Sequence, residues 1–433
     1  MSDSEGQSTL AKLMALDGSS LEKVLLEPSL EQAAKSNSVE LRKYLSRHLP
    51  RLLRTAFKDD NSETTLQALK LLTYGSVLVI PNLVKTNFFP EFAMKYLSRQ
   101  TLSERRVGRL CEVTFSIFQS GVKDIIKDCN YILTLFKNYC DHLSVYNLFS
   151  KIFTGDDKLQ YHRDWLVEIG FDKELVTILK ELLKKNYTDT TFTTDSEKVI
   201  NLFKLVADAA KHESIRRKII QSEVFDIFKQ TYSLPHIINN FYWEAVNNLY
   251  DVEYHSKFQI HIDAAKKILY KPEKRIYRYH AEALSLLVKV INHNSDLVNE
   301  KLIKNVINLM MLFSESSFFL CEARIFFQKC YNIKDVRDLI VKKLVPLMMN
   351  ETKSEKHGLM PIFAMAILTD MTNNESTNKL LKKVDGTSKF IKQKLEPYVK
   401  KLNSEYGGEY KNENDQVKAS PSRKKTWETK YPK

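Results

Sequence analysis

At 433 residues, with 43% apolar and 27% charged side chains, the chain has the balance of a folded globular protein, not of a disordered or fibrous one. Eleven glycines and eleven prolines are too few for an all-β chain built on many tight turns. The net charge of +13, with a pI near 9.2, favours acidic partners such as nucleic acid, anionic lipid or an acidic protein segment; the plain alternative is a solvated lysine surface.

The N-terminal stretch MSDSEGQSTLAKL lacks a basic-then-apolar signal pattern, and no apolar run approaches the ~20 residues of a membrane helix. A cytoplasmic or nuclear chain without membrane insertion is expected. Cys111, Cys129, Cys140, Cys321 and Cys330 each fall in an apolar helical stretch, which reads as buried free thiols in a reducing compartment.

Residues 1–19 read as a flexible N-terminal tail with one short helix, and packing is expected from Leu21. At Asn37, Gly75 and Gly155 a corner follows apolar pairs seven and three residues earlier: Leu30/Ala34, Ala68/Leu72 and Leu148/Ile152. The break between the last two corners is expected near residue 115, although the best loop signal there is Ser120-Gly121. Pro81 and Pro90 read as breaks. The polar, β-branched stretch before Asp195 has no helical stripe and reads as an inserted surface loop over 186–195. Asp195 or Ser196 then caps a helix carrying Val199, Leu202, Phe203 and Val206.

From residue 205 the pattern is regular. Polar breaks at His212, Glu253, Asn294, Lys334 and Asn374 are separated by 41, 41, 40 and 40 residues. Each is preceded by an apolar pair: Leu205/Ala209, Val246/Tyr250, Leu287/Ile291, Phe327/Tyr331 and Ile367/Met371. A spacing of four puts both side chains on one helix face. A helix with a buried stripe therefore ends at a polar corner once per repeat. This resembles the armadillo/HEAT superfamily, whose units run ~40–47 residues. The expected fold is all-α: a right-handed α-solenoid of armadillo/HEAT-like repeats, about nine units of ~40 residues, over residues 20–403. Expected helices include 103–119, 122–138, 196–211, 235–250, 274–293, 316–330 and 387–403.

After Leu402 the pattern stops. Residues 404–433 read as a disordered basic tail with Gly407-Gly408, a polar NENDQ run and the finish KASPSRKKTWETKYPK. Ser420-Pro421-Ser422-Arg423 has the form of a proline-directed phosphorylation site, which makes Ser420 a candidate phosphosite. Arg423-Lys424-Lys425 is a short basic run of the nuclear-import kind.

No enzymatic constellation is visible: no GxxxxGKS/T loop, no GxGxxG, no HExxH and no GxSxG. The histidines are scattered. A non-enzyme is expected, with no catalytic, cofactor or metal residue and no small-molecule substrate.

In Phe241-Tyr-Trp243-Glu-Ala-Val-Asn247, Trp243 and Asn247 stand four apart. This resembles the Trp-xxx-Asn pattern on the groove helix of armadillo proteins of the importin-α family, and implies a peptide clamp in which Asn247 bonds the backbone and Trp243 packs side-chain stems. The core alternative buries the Trp and solvates the Asn. Neighbouring repeats carry Leu202/Val206, Leu284/Val288, Arg324/Gln328 and Ala364/Leu368, so there is no Trp–Asn array.

Basic clusters occur at Arg99/Arg105/Arg106/Arg109, at Arg216/Arg217/Lys218, and around Lys271, Lys274, Arg275 and Arg278 with Tyr270, Tyr277 and Tyr279 interleaved. Another group, from Lys379 to Lys401, loads the last repeat. Stacked corners would merge them into a ridge able to track phosphates; separately they are solvent cover. Finally, Phe319–Phe327, then Ile333-Lys-Asp and Leu344-Val-Pro, is similar to a stretch of the protein phosphatase 4 regulatory subunit 3 family, and implies a phosphatase adaptor. The expected role is a non-enzymatic scaffold or adaptor for a protein partner, possessing contacts along 216–218, 241–248 and 266–278. The alternatives are a nucleic-acid or chromatin-associated solenoid and a phosphatase regulatory subunit.

Overall fold

The computed structural model describes residues 2–15, 20–73, 87–98, 101–120, 126–155, 157–271, 274–353 and 358–403. The corner at Gly75, the break at Pro81, Arg99, Gly121, and the tail 404–433 with Ser420 and its basic run lie outside them. Among the described residues every regular element is helical, and the β pairing is an isolated bridge between Thr188 and Thr191. No described helix is long and apolar enough to cross a membrane. The chain divides into two compact units, Met1–Phe326 and Phe327–Lys433.

In the first unit, six helices form a row in which each packs on the next: α1 (Glu63–Thr73), α2 (Glu104–Gln119), α3 (Leu143–Thr154), α4 (Thr194–Ala209), α5 (His236–Leu249) and α6 (Arg278–Ile291). A second row runs beside it through Phe88–Leu97, Tyr131–Tyr139, Phe171–Leu182 and the 3₁₀ segment Glu223–Lys229. Capping explains where several of these helices start. Ser103 accepts from the Arg106 amide ahead of α2, and Thr193 forms a capping box with Ser196 ahead of α4. The true cap thus precedes the expected Asp195, and the loop closes at residue 193.

All ten apolar positions of the regular stretch are buried, none more than 6% exposed. A fully buried Leu or Phe contributes about 1.5–3 kcal/mol each. Polar bonds at roughly one repeat's offset join successive helices of the first row. Asn248 Nδ2 donates to the Ala207 carbonyl at 3.2 Å, the Tyr279 amide to Asn240 Oδ1 at 2.9 Å, and Lys289 Nζ to the Asn247 carbonyl at 2.6 Å. In the second unit, Lys334–Glu351, Leu359–Asn373 and Glu375–Leu381 pack mutually around Leu344, Met348, Ile367, Met371 and Leu381.

Several expectations are corrected. Helix Ser2–Ala15 occupies most of the expected tail, and its Leu10 is 2% exposed, so burial begins before Leu21. The helix expected over 122–138 is broken: Ile126 is helical, Lys127–Asn130 are not, and a helix runs again over Tyr131–Tyr139, residues 121–125 lying outside the described ones. α2 runs straight through residue 115 and ends at Gln119, with Ser120 as its cap. Pro90 sits in the first turn of Phe88–Leu97, where its missing N–H has no helical partner to lose. Cys321 is exposed while the other four cysteines are buried.

Candidate interaction surface

The basic residues singled out in the sequence are mostly engaged. Arg216 Nη2 lies 3.4 Å from Asp251, which is buried. Arg217 reaches Glu213 at 2.8 Å and Glu253 at 3.0 Å, and Lys218 reaches Asp164 at 2.6 Å. The contacts with Asp251 and Glu253 tie the corner after α4 to the corner after α5, while Lys218 reaches back to the helix Gln160–Glu168. Arg105 and Arg106 face Asp59 at 3.5 and 3.7 Å. Arg109 is buried and donates to the carbonyls of Lys58 and Asp60. Arg278 joins Glu244 at 3.2 Å and Glu282 at 3.3 Å. Lys271, Lys274 and Arg275 remain exposed with no ion pair to a described residue.

Trp243 is 2% exposed, edge-on to Tyr242 and His261, so its ring is not presented to a peptide. Asn247 is 6% exposed, so it is not solvated either. Its Nδ2 donates to Glu282 at 2.9 Å and its backbone carbonyl accepts from Lys289. Asn247 and Arg278 therefore meet at Glu282 in a polar tie between α5 and α6, while Trp243 packs inward against Tyr242 and His261. Burial pushes the carboxyls of Glu244 and Glu322 up, Arg278 and the Ser285 hydroxyl respectively offsetting part of this, and pushes Lys289 down. Among the described residues no group of three or more His, Cys, Asp or Glu side chains is placed to hold a metal ion.

The open surface lies elsewhere, in a cleft of about 760 Å³ at the start of α3, α4 and α5. Leu143, Phe192 and Ile237 line it and are 66%, 55% and 46% exposed. Phe192 comes from the loop before α4. That loop is held by Asp189, which accepts from the His236 amide at the start of α5 at 2.6 Å. The His236 ring in turn stacks on Tyr277 at 3.8 Å. Phe241 lies deeper, with Lys204 Nζ 4.5 Å above its ring. Glu104, Asp141 and Glu197 stand around the rim, none paired with a described cation. Solvent-facing apolar side chains at one mouth, with charged groups around them, suit a polypeptide contact better than a small substrate. Sequence reading marked the loop but not Leu143 or Ile237. Their signal was that both fall beside the buried stripes of their helices.

No protein-family model, no curated protein and no solved structure matches this chain.

Proposed function

We propose that the chain is a non-enzymatic scaffold: an armadillo/HEAT-like helical solenoid that holds a protein partner at the cleft between the starts of α3, α4 and α5. The row of helices, each packed on the next and cross-bonded at an offset of 39 to 42 residues, supports the repeat architecture. The single observation that carries the function is the convergence of Leu143, Phe192 and Ile237, three exposed apolar side chains from separate segments, on one mouth. A folded chain exposes such groups together mainly where something covers them. The test is a quantitative pull-down with the intact chain and with Phe192→Ser/Ile237→Ser. Both positions are exposed, so folding is expected to survive. A partner held by the intact chain and lost at least tenfold by the double variant supports the scaffold. Equal recovery with both proteins, or no partner at all, removes it.

A further inference from the structure

A second cleft, independent of the first, lies wholly within the second unit. It measures about 560 Å³ and is bounded by the last helical stretch. Ile391, Leu395 and Val399, spaced by four, form its apolar floor; Leu395 is buried, while Ile391 and Val399 are only half-covered. Lys382, Lys392 and Lys400 rise around that floor, all exposed, none paired with a described carboxylate. The wider stretch 375–403 carries eight lysines against Glu375, Asp385 and Glu396. The turn Ile391–Leu395 is a π-helix, which shifts the register of the floor against the lysines. An unfinished apolar stripe under unpaired cations fits an acidic segment with aromatic or aliphatic side chains.

The chain itself supplies such a segment immediately afterwards. Residues 404–417 hold Glu405, Glu409, Glu413 and Asp415 against a single Lys411, with Tyr406 and Tyr410 between. We propose that residues 405–415 dock in this cleft of the same molecule. The segment begins where the helix lining the cleft ends, at Asn403, and Gly407-Gly408 permit the reversal that would send it back along that helix. The spacings agree. Lys392 and Lys400 are eight helical residues apart, about 12 Å along the axis. Glu409 and Glu413 are four residues apart, about 13 Å when extended. A returning segment sets Glu409 against Lys400 and Glu413 against Lys392, with Tyr410 on its alternate side, turned from those lysines towards the floor. Tethering holds the segment at an effective concentration on the order of millimolar, so modest pairwise attractions suffice.

The experiment titrates a fluorescein-labelled peptide copying residues 404–417 onto the full chain and onto a full-chain variant carrying Glu405→Gln, Glu409→Gln, Glu413→Gln and Asp415→Asn. The peptide should bind the neutralised variant at least about tenfold more tightly than the intact chain, because there the cleft is unoccupied. That affinity should fall steeply as salt rises from about 50 to 300 mM. Adding Lys382→Glu, Lys392→Glu and Lys400→Glu should abolish binding, with helix content by circular dichroism unchanged. Equal binding to the intact and neutralised chains overturns the proposal, as do indifference to the lysine reversals and absence of binding to the neutralised chain. A dimer of the intact chain that either set of substitutions dissolves places the segment in another copy, and also overturns it. So does an oligonucleotide that reaches these lysines equally well with the segment intact or neutralised.

Discussion

His261 is fully buried, with Nε2 2.8 Å from the Tyr242 hydroxyl, and His162 is 2% exposed beside Arg163. Burial holds both rings well below their ordinary value of 6.5, to about 4, and the Arg163 charge adds to the effect at His162. The folded chain keeps these rings neutral where the unfolded chain would protonate them. Their contribution to stability is therefore complete above pH 6.5 and is lost progressively as pH falls towards 4, at up to about 1.4 kcal/mol per pH unit for each ring. Glu244 and Glu322 act in the opposite sense. Their raised carboxyls take up protons in the folded chain first, which adds stability as pH falls. Chemical denaturation at several pH values between 7 and 4.5 separates the two. His261→Phe should start less stable, having lost the Tyr242 contact, yet lose stability more gently on acidification. Parallel pH profiles for the two proteins would show that His261 does not titrate in this way.

The joints between successive helices rest on a few buried polar groups. Asp208 on α4 is 7% exposed and accepts from Ser150 Oγ at 2.7 Å and from the Tyr146 hydroxyl at 3.1 Å, both on α3, while Lys211 Nζ lies 2.7 Å away. Asp208→Ala leaves two hydroxyls without an acceptor, and should cost about 2–4 kcal/mol, seen as a lower urea midpoint. Asp208→Asn keeps one acceptor oxygen and should cost less; an equal cost for both would mean that the hydroxyl bonds carry little. Asp208 also shows what could be read in advance. It stands between Leu205 and Ala209, so the sequence marks its helix and its face. Its partners lie 58 and 62 residues back, across the inserted loop, where no local spacing connects them. The same limit explains Cys321. Helix Ser317–Cys330 carries apolar groups on both sides, Phe319 and Phe326 buried, Phe318 and Ile325 exposed, so composition alone could not choose which side would be covered. Trp243 was a matter of direction as well: the four-residue spacing to Asn247 was real, but the stripe it belongs to faces inward.

Over the whole molecule, the net charge of +13 proves to be distributed differently from its appearance in the sequence. The runs at 105–109 and 216–218 look like cationic clusters because, apart from Glu213 beside Arg217, their carboxylate and carbonyl partners mostly lie 35 to 54 residues away. Folding brings these together, and each exposed pair contributes only about 0–1 kcal/mol while removing a charge from any continuous ridge. Among the described residues, Lys271, Lys274 and Arg275 are the exposed cations left without an ion pair at the turn before α6. Any affinity for duplex DNA that the first unit contributes should then draw on these three and very little on Arg217. Each phosphate neutralised adds about 0.9 to the slope of log affinity against log salt. Lys271→Gln/Lys274→Gln/Arg275→Gln should therefore flatten that slope by up to about 3, measured by fluorescence anisotropy of a labelled duplex. Arg217→Gln should leave it unchanged, because its guanidinium already faces Glu213 and Glu253. If Arg217→Gln flattens the slope as well, the ion pairs open on binding and the corners act together as one phosphate-tracking edge.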